Sequence, residues 1–522
     1  MRSAFDLGST GPVRTLALVA ALGCASAPAP LPPPAPPPPK PVTAPLAKVE
    51  PPPPAPVTQD APFRSEQPKG GPAPALSLPK IQHHALKNGL RIVLVENHAL
   101  PIVAMRLIVP AGGEKNPADR PGLADLVAAM LDEGTKTRSA LEIAEALESI
   151  GARIGTGASQ DAAFVSLTTL SSQLGKALDV FADIATAPAF KEEDFSRVRD
   201  KTRTSLLQSK DAPAAIAGRA FARVLYGDKH PYAFPTVGTE KSLEKITRDD
   251  LVRFHAQHYL PNSSKIVVVG DITLEQAAAE LEKRLGIWRK AKAPKAKAPA
   301  VPKDVGRRVI LIDKEGASQS VVRVGHVGVP RKHPDYAALL VMNDILGGSF
   351  TSRINLNLRE KKGYTYGARS GYTMLRGAGP FSAGGNVRAD VTRESIDELL
   401  KELEGIRKDK VTDEELSEAK AGLVARAPAR FETNASTAGE LADVLIHELP
   451  EDDIATMVQR IEAVSAEDVL RVAKRYVRPE SAIIVVVGDR KSVEPKLAGL
   501  GKLEHRDTRG EPLSDKGESA AR

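Results

Sequence analysis

The sequence predicts an α+β fold made of two homologous domains, each a mostly antiparallel sheet covered on one face by helices. Two observations carry this. Strand-like β-branched runs and long amphipathic helical patterns mix in each half without a strict βα alternation, which argues against a doubly wound parallel sheet. The second half also repeats the first. Residues 246–271 align without a gap on 464–489; Pro261 falls on Pro479, and Ile266-Val-Val-Val-Gly-Asp271 recurs as Ile484-Val-Val-Val-Gly-Asp489. Copies about 200 residues long far exceed solenoid periods of roughly 20–50 residues, so they mark two domains. A chain of 522 residues with 42% hydrophobic content can bury cores of that size.

The first element is not part of either domain. Arg2 and Arg14 precede an apolar run from Thr15 to Gly23. That run is about half the roughly 20 residues a membrane-spanning helix needs, so residues 1–24 read as a signal peptide. Ala21-Leu22-Gly23-Cys24 resembles a bacterial lipobox, in which cleavage precedes a cysteine that is then lipidated. The first lipobox position is usually Leu and here is Ala, so an ordinary signal peptide cut nearby stays open. Cys24 is the single cysteine, which rules out an intramolecular disulfide. These features imply an exported chain, lipid-anchored in the bacterial cell envelope. Ala25 stands where many inner-membrane lipoproteins carry Asp, which favours the periplasmic side of the outer membrane.

Residues 25–80 are dominated by Pro and Ala, including Pro51 to Pro54, and predict an extended, polyproline-like tether. The first domain then spans 81–288. Leu86 to Val95 reads as a turn and a strand, and Pro101 to Pro110 as a second strand leading into Gly112-Gly113. Helical patterns follow at 122–133, 139–151, 172–186, 191–208, 214–225 and 249–258, before a buried strand at 265–269. Residues 289–304 are a Lys/Ala/Pro linker, 305–503 the second domain, and 504–522 a polar, disordered tail. The net charge of +7 lies largely in the linker, at Lys290, Lys292, Lys295 and Lys297, without interleaved aromatics. That distribution argues against a nucleic-acid partner.

Three stretches carry a family likeness in order along the chain: Gly227-Asp-Lys-His-Pro-Tyr-Ala-Phe-Pro235 with Gly238-Thr239; Asp344-Ile-Leu-Gly-Gly-Ser-Phe-Thr-Ser-Arg353; and Leu358-Arg-Glu-Lys-Lys-Gly-Tyr-Thr-Tyr-Gly367. With Gly122-Leu-Ala and Met130-Leu, they resemble the insulinase (pitrilysin) metallopeptidases over roughly 81–500, and by length the processing-peptidase branch. Family enzymes carry His-x-x-Glu-His on one helix, two imidazoles for zinc and a glutamate to activate water. The resemblance places Asp125 at the first His, Ala128 at the Glu and Ala129 at the second His. It places Ser205, or a neighbour, at the third ligand, a downstream Glu; no carboxylate lies between Asp200 and Asp211. No metal or cofactor is therefore expected in this chain. His255 and His258 lie three apart without an intervening Glu and read as solvated or capping histidines.

The resemblance also implies that Arg359 and Tyr366 match a pair that holds the substrate backbone near the scissile bond. A guanidinium offers forked donors to carbonyls, and a phenol can donate to a developing oxyanion. The alternative is that Arg359 pairs with an acidic side chain, Tyr366 packs under the sheet and Tyr364 shares the role. Gly112-Gly113 suggests a sheet edge to which a peptide adds as a strand, and Gly347-Gly348 either a close peptide approach or a tight helix entry. The implied function is a non-catalytic, substrate-binding subunit of a heterodimeric zinc endopeptidase acting on unfolded peptides, with zinc in a partner that bears the intact motif. A structural or peptide-binding pseudo-peptidase without a proteolytic partner is the alternative, and a homodimer stays open.

Overall fold

The computed structural model describes residues 80–294, 299–302 and 306–513. Cys24, the signal segment and the tether fall outside these residues. The first half builds one six-stranded sheet from β1 (Ile81–Ala85), β2 (Arg91–Glu96), β3 (Ile102–Val109), β4 (Arg153–Ala158), β5 (Ala163–Leu170) and β6 (Lys265–Gly270), in the order β1-β2-β6-β3-β5-β4. The second uses β7 (Arg308–Asp313), β8 (Gln319–Val327), β9 (Thr365–Tyr372), β10 (Pro380–Arg388), β11 (Ile483–Gly488) and β12 (Lys502–Arg506), in the order β12-β7-β11-β8-β10-β9. Five strands match in order, β2-β6-β3-β5-β4 with β7-β11-β8-β10-β9, while the outer strands differ: β1 comes first in its half and pairs antiparallel, and β12 comes last and pairs parallel. The repeated Val-Val-Val-Gly segments become β6 and β11, each third from an edge. Most pairings are antiparallel; β2 with β6, β7 with β11 and β7 with β12 are parallel.

Both sheets are covered on two faces, not one. The helices of each half pack on one face of their own sheet, and a single helix from the opposite half covers the other. Helix Pro213–Tyr226 sets Ile216, Phe221, Val224 and Leu225 against Ile310, Val321, Ile483, Val485 and Val487 of the second sheet. Reciprocally, helix Asn434–Ile446 sets Leu441 and Val444 against Val93, Val95, Val267 and Val269 of the first. The cause lies in the strands. In β6, Ile266 and Val268 face one core while Val267 and Val269 face the other, so an unbroken apolar run needs cover on both sides. This exchange joins the halves into one compact unit.

The chain also continues in order past 503. β12 pairs in parallel with β7, and Glu504 accepts from Arg308 Nε at 2.9 Å. Beyond it, the Asp507 carboxylate accepts the backbone N–H of Arg509 at 2.9 Å and of Glu511 at 2.8 Å, and Leu513 N–H bonds back to His505. The polar composition misled because an edge strand can present polar side chains to water while its backbone completes a ladder.

Candidate functional site

Helix Leu123–Ala129 carries three of the candidate positions on one face, since residues spaced three and four apart are neighbours on a helix. Asn116 Oδ1 caps the start of this helix by accepting from Ala124 N–H at 2.8 Å. Ala128 is fully buried, and Ala129 packs at the margin of the core. Burial alone pushes the Asp125 carboxyl up to about 6. Ser205 lies exposed on helix Glu192–Gln208, which touches the first helix, and lines a cavity of about 430 Å3. The zinc centre that the family implies does not fit these groups. Two methyls and a neutral hydroxyl offer no ligand set, and the one carboxylate sits where burial disfavours its charge. Among the described residues, no three His, Cys, Asp or Glu side chains gather as a metal site.

The two histidines at 255 and 258 are packed rather than solvated. His255 stacks on Tyr259 with ring centroids 4.5 Å apart, meets the edge of Phe190, and has its Nε2 3.2 Å from the Ala185 carbonyl. His258 lies against Phe254. Burial lowers both to about 4, so both are neutral at physiological pH.

Arg359 and Tyr366 stand on adjoining elements of the second half. Arg359 lies in a π-helical segment, Leu356–Lys361, that packs on edge strand β9, which carries Tyr366. Buried Asn355 ties these pieces together: its Nδ2 donates to the Phe350 carbonyl at 2.7 Å, and its Oδ1 accepts from Ala368 N–H at 3.3 Å. Tyr366 is 91% exposed, so it does not pack under the sheet, whereas Tyr364 is half-buried. The Arg359 guanidinium lies 4.6 Å over the exposed ring of Phe350, and its Nε meets Glu360 at 3.3 Å. No described residue hydrogen-bonds its terminal nitrogens, which leaves them available to a peptide carbonyl. Neither residue makes a hydrogen bond or ring contact with the first half among the described residues. Phe350 and Asn355 are the residues that sequence reading missed; an aromatic directly after Gly347-Gly348-Ser349 is the signal that was there.

The paired glycines have structural reasons. A Cβ on Gly112 would lie 2.4 Å from Ala162 N and 2.6 Å from Gln160 O, so the close approach is to the β4–β5 turn and not to a peptide. Moreover, β3 is flanked by β5 and β6; the free edges of the first sheet are β1 and β4. A Cβ on Gly347 would lie 2.4 Å from Ser370 N, so the π-helical segment Asp344–Gly348 can lie directly on β9.

Residues 91–230 match the family model described as "Insulinase (Peptidase family M16)", and residues 245–423 match "Peptidase M16 inactive domain". The crystal structure of a peptidase M16 inactive domain from Pseudomonas fluorescens is 30% identical, with a TM-score of 0.73 over 78% of this chain and 98% of that one. The chain belongs to the insulinase family, peptidase family M16. A protease structure from Helicobacter pylori shares the fold, with a TM-score of 0.73 at 24% identity over 78% of this chain and 100% of that one. Among relatives, the uncharacterized zinc protease YmxG of Bacillus subtilis is 27% identical over 340 residues, 65% of this chain and 82% of its own. The zinc protease PqqE of Helicobacter pylori is 25% identical over 419 residues, 78% of this chain and 93% of its own. The relatives' names are those of zinc proteases, whereas the sequence of this insulinase-family chain contains no His-x-x-Glu-His. The inactive-domain match spans the half with Arg359 and Tyr366. These findings support a non-catalytic member of the family.

Proposed function

We propose that this chain is the substrate-binding subunit of a two-chain insulinase-family zinc endopeptidase that acts on unfolded peptides in the cell envelope. It would be held to the membrane through a lipid on Cys24. Zinc and the water-activating glutamate belong to the partner; this chain contributes Arg359 and Tyr366. One observation carries the reading: the whole two-sheet scaffold is kept and its metal positions lack ligands, while a guanidinium seated on Phe350 and a phenol on a free sheet edge both face solvent. Such groups suit gripping carbonyls of an extended backbone without demanding a sequence.

The test is co-expression with an insulinase-family protein that bears His-x-x-Glu-His, followed by a peptide-cleavage assay. Cleavage by the pair, absent from this chain alone, supports the reading. Arg359→Ala and Tyr366→Ala should each cut kcat/KM by about 10²-fold, the scale for losing one donor to a developing oxyanion. Unchanged cleavage in both variants would exclude the assigned roles. Peptide binding without partner-dependent cleavage would leave a peptide-binding pseudo-peptidase.

A further inference from the structure

We infer that the second sheet carries an anion site, formed by Arg323 and Arg369 across Gly384, that takes a carboxylate of the bound peptide. The inference rests on the reading above and narrows its substrate class to peptides that present a carboxylate, on an acidic side chain or at the chain end. Strand register builds the site. Gly384 of β10 pairs with Arg323 of β8 on one side and with Arg369 of β9 on the other, so the three positions form one row on one face. Neighbouring strands lie about 4.8 Å apart, which sets the two arginine Cα atoms about 10 Å apart. The position between them has no side chain, so two guanidiniums flank an open floor on which a carboxylate can accept from both. In the next row Ser382 pairs with Gly371, and a Cβ built on Gly371 would meet nothing within 4 Å.

The donors of this face are not engaged within the protein. Among the described residues, neither arginine makes a hydrogen bond or an ion pair, and the Ser382 hydroxyl has no hydrogen-bond partner. Arg369 is exposed, whereas Arg323 is half-buried, with its guanidinium 5.8 Å from the Phe221 ring of helix Pro213–Tyr226. Burial alone shifts the Arg323 guanidinium, downwards, with no carboxylate to offset it. A half-buried charge without a partner is unfavourable, and a ligand carboxylate would relieve it. The first half shows that the fold does not require this row. Val267 and Val485, equivalent under the sequence repeat, pair with Arg106 and Arg323 respectively. The row of Arg106 continues through Ser166 to Gly155, with a single guanidinium lying 4.2 Å over the Phe164 ring. There the Ser166 hydroxyl is engaged, donating to the Gly155 carbonyl at 3.0 Å. One scaffold thus carries a closed row in one copy and an open, doubly cationic row in the other. Tyr366 stands three residues before Arg369 on β9, about 10 Å along the strand. A peptide held at Tyr366 therefore brings a carboxylate to the site from about three residues away.

The experiment uses the purified full-length chain and unlabelled, N-acetylated, Gly/Ser-rich peptides in isothermal titration calorimetry. Three are amidated and differ only in a central Glu, Gln or Lys; a fourth has the central Gln and a free C-terminal carboxylate. The Glu peptide should bind about tenfold tighter than the amidated Gln peptide, the Lys peptide weakest, and the Glu advantage should shrink at high salt. Arg369→Gln changes an exposed residue, and Arg323→Met keeps an unbranched stem beside Phe221, so both variants should fold. In each, the ratio of Glu-peptide to Gln-peptide affinity should fall to about one. An arginine-dependent gain confined to the free C-terminus would uphold the site and assign it to chain ends. Equal binding of all four peptides by the parent chain, or a carboxylate preference that survives both substitutions, would overturn the anion site alone. Absence of binding for all four would overturn the substrate-binding reading and the site with it. Arginine-dependent discrimination without cleavage in the co-expression assay would uphold the site and sink only the two-chain peptidase.

Discussion

At the scale of single residues, the informative groups are those whose surroundings contradict their chemistry. Asp125 is the clearest, because burial without a compensating cation raises its carboxyl from an ordinary 3.8 to about 6. Between those values the folded chain keeps a proton that the unfolded chain releases. The stability tied to that proton is therefore full below pH ~4 and is lost as pH rises through about 6. Asp125→Asn should remove the loss: thermal unfolding should show the variant more stable than the parent by on the order of 2 kcal/mol at pH 8 and no more stable at pH 4. A gain that is the same at both pH values would mean that Asp125 carries its charge unhindered. Arg359 and Tyr366 could be singled out in the sequence by their spacing in a motif, and their role is the one proposed above. Their setting could not be read there, since the ring of Phe350 beneath the guanidinium and the Asn355 bridge depend on how a π-helical segment lies on β9. His255 was misread for a related reason: sequence shows a polar residue on an exposed-looking helix, and only the fold shows Phe190 and Tyr259 closing on its ring.

At the scale of elements, the helices and strands formed largely where hydrophobic periodicity put them, from the helix at 174–186 to β6. What periodicity could not supply was the address of each apolar face. Helix Pro213–Tyr226 reads like its neighbours, with a proline at its first turn and apolar residues at helical spacing. Its face nonetheless closes on the sheet of the opposite half. The unbroken Ile/Val run of β11 did hold a clue, because a strand with both faces apolar needs two covers. Nothing in one sequence names the second cover. The consequence is measurable. Phe221 is 2% exposed within the core shared by that helix and the second sheet, so Phe221→Ala should destabilise the chain by about 3–5 kcal/mol. Leu441→Ala, at the reciprocal contact, should cost about 2–5 kcal/mol. Urea denaturation should register each loss as a lower midpoint at an unchanged slope. A loss under 1 kcal/mol at both sites would mean that the exchanged helices are ornaments on self-sufficient sheets.

At the scale of the whole molecule, the sequence repeat correctly announces two copies of one fold but not their interdependence. The first half lends Pro213–Tyr226 and receives Asn434–Ile446; the loan is cemented by Asn434 Nδ2 donating to the Ile102 carbonyl at 3.0 Å and by Arg376 N–H donating to Asp161 at 2.8 Å. Residues 81–288 alone would therefore leave Val93, Val95, Val267 and Val269 bare on one sheet face and the apolar stripe of Pro213–Tyr226 without its sheet. A contiguous apolar patch of that kind drives association. We predict that a chain of 81–288 expressed alone is insoluble or binds a hydrophobic dye strongly, and that co-expression with 305–513 restores a soluble complex. The joined chain should unfold in a single transition, coincident by circular dichroism and tryptophan fluorescence, because neither sheet can lose its partner's helix and stay covered. Trp288, the sole tryptophan, sits in the first core and reports that half, while circular dichroism averages both. Fluorescence and dichroism midpoints that separate by several molar-tenths of denaturant, or a soluble, cooperatively folding 81–288, would show the halves to be independent. Coincidence would mean that a loss of packing in the first half's core is felt in the half that carries Arg359 and Tyr366, so the proposed grip on a peptide and the stability of the first half stand or fall as one structure.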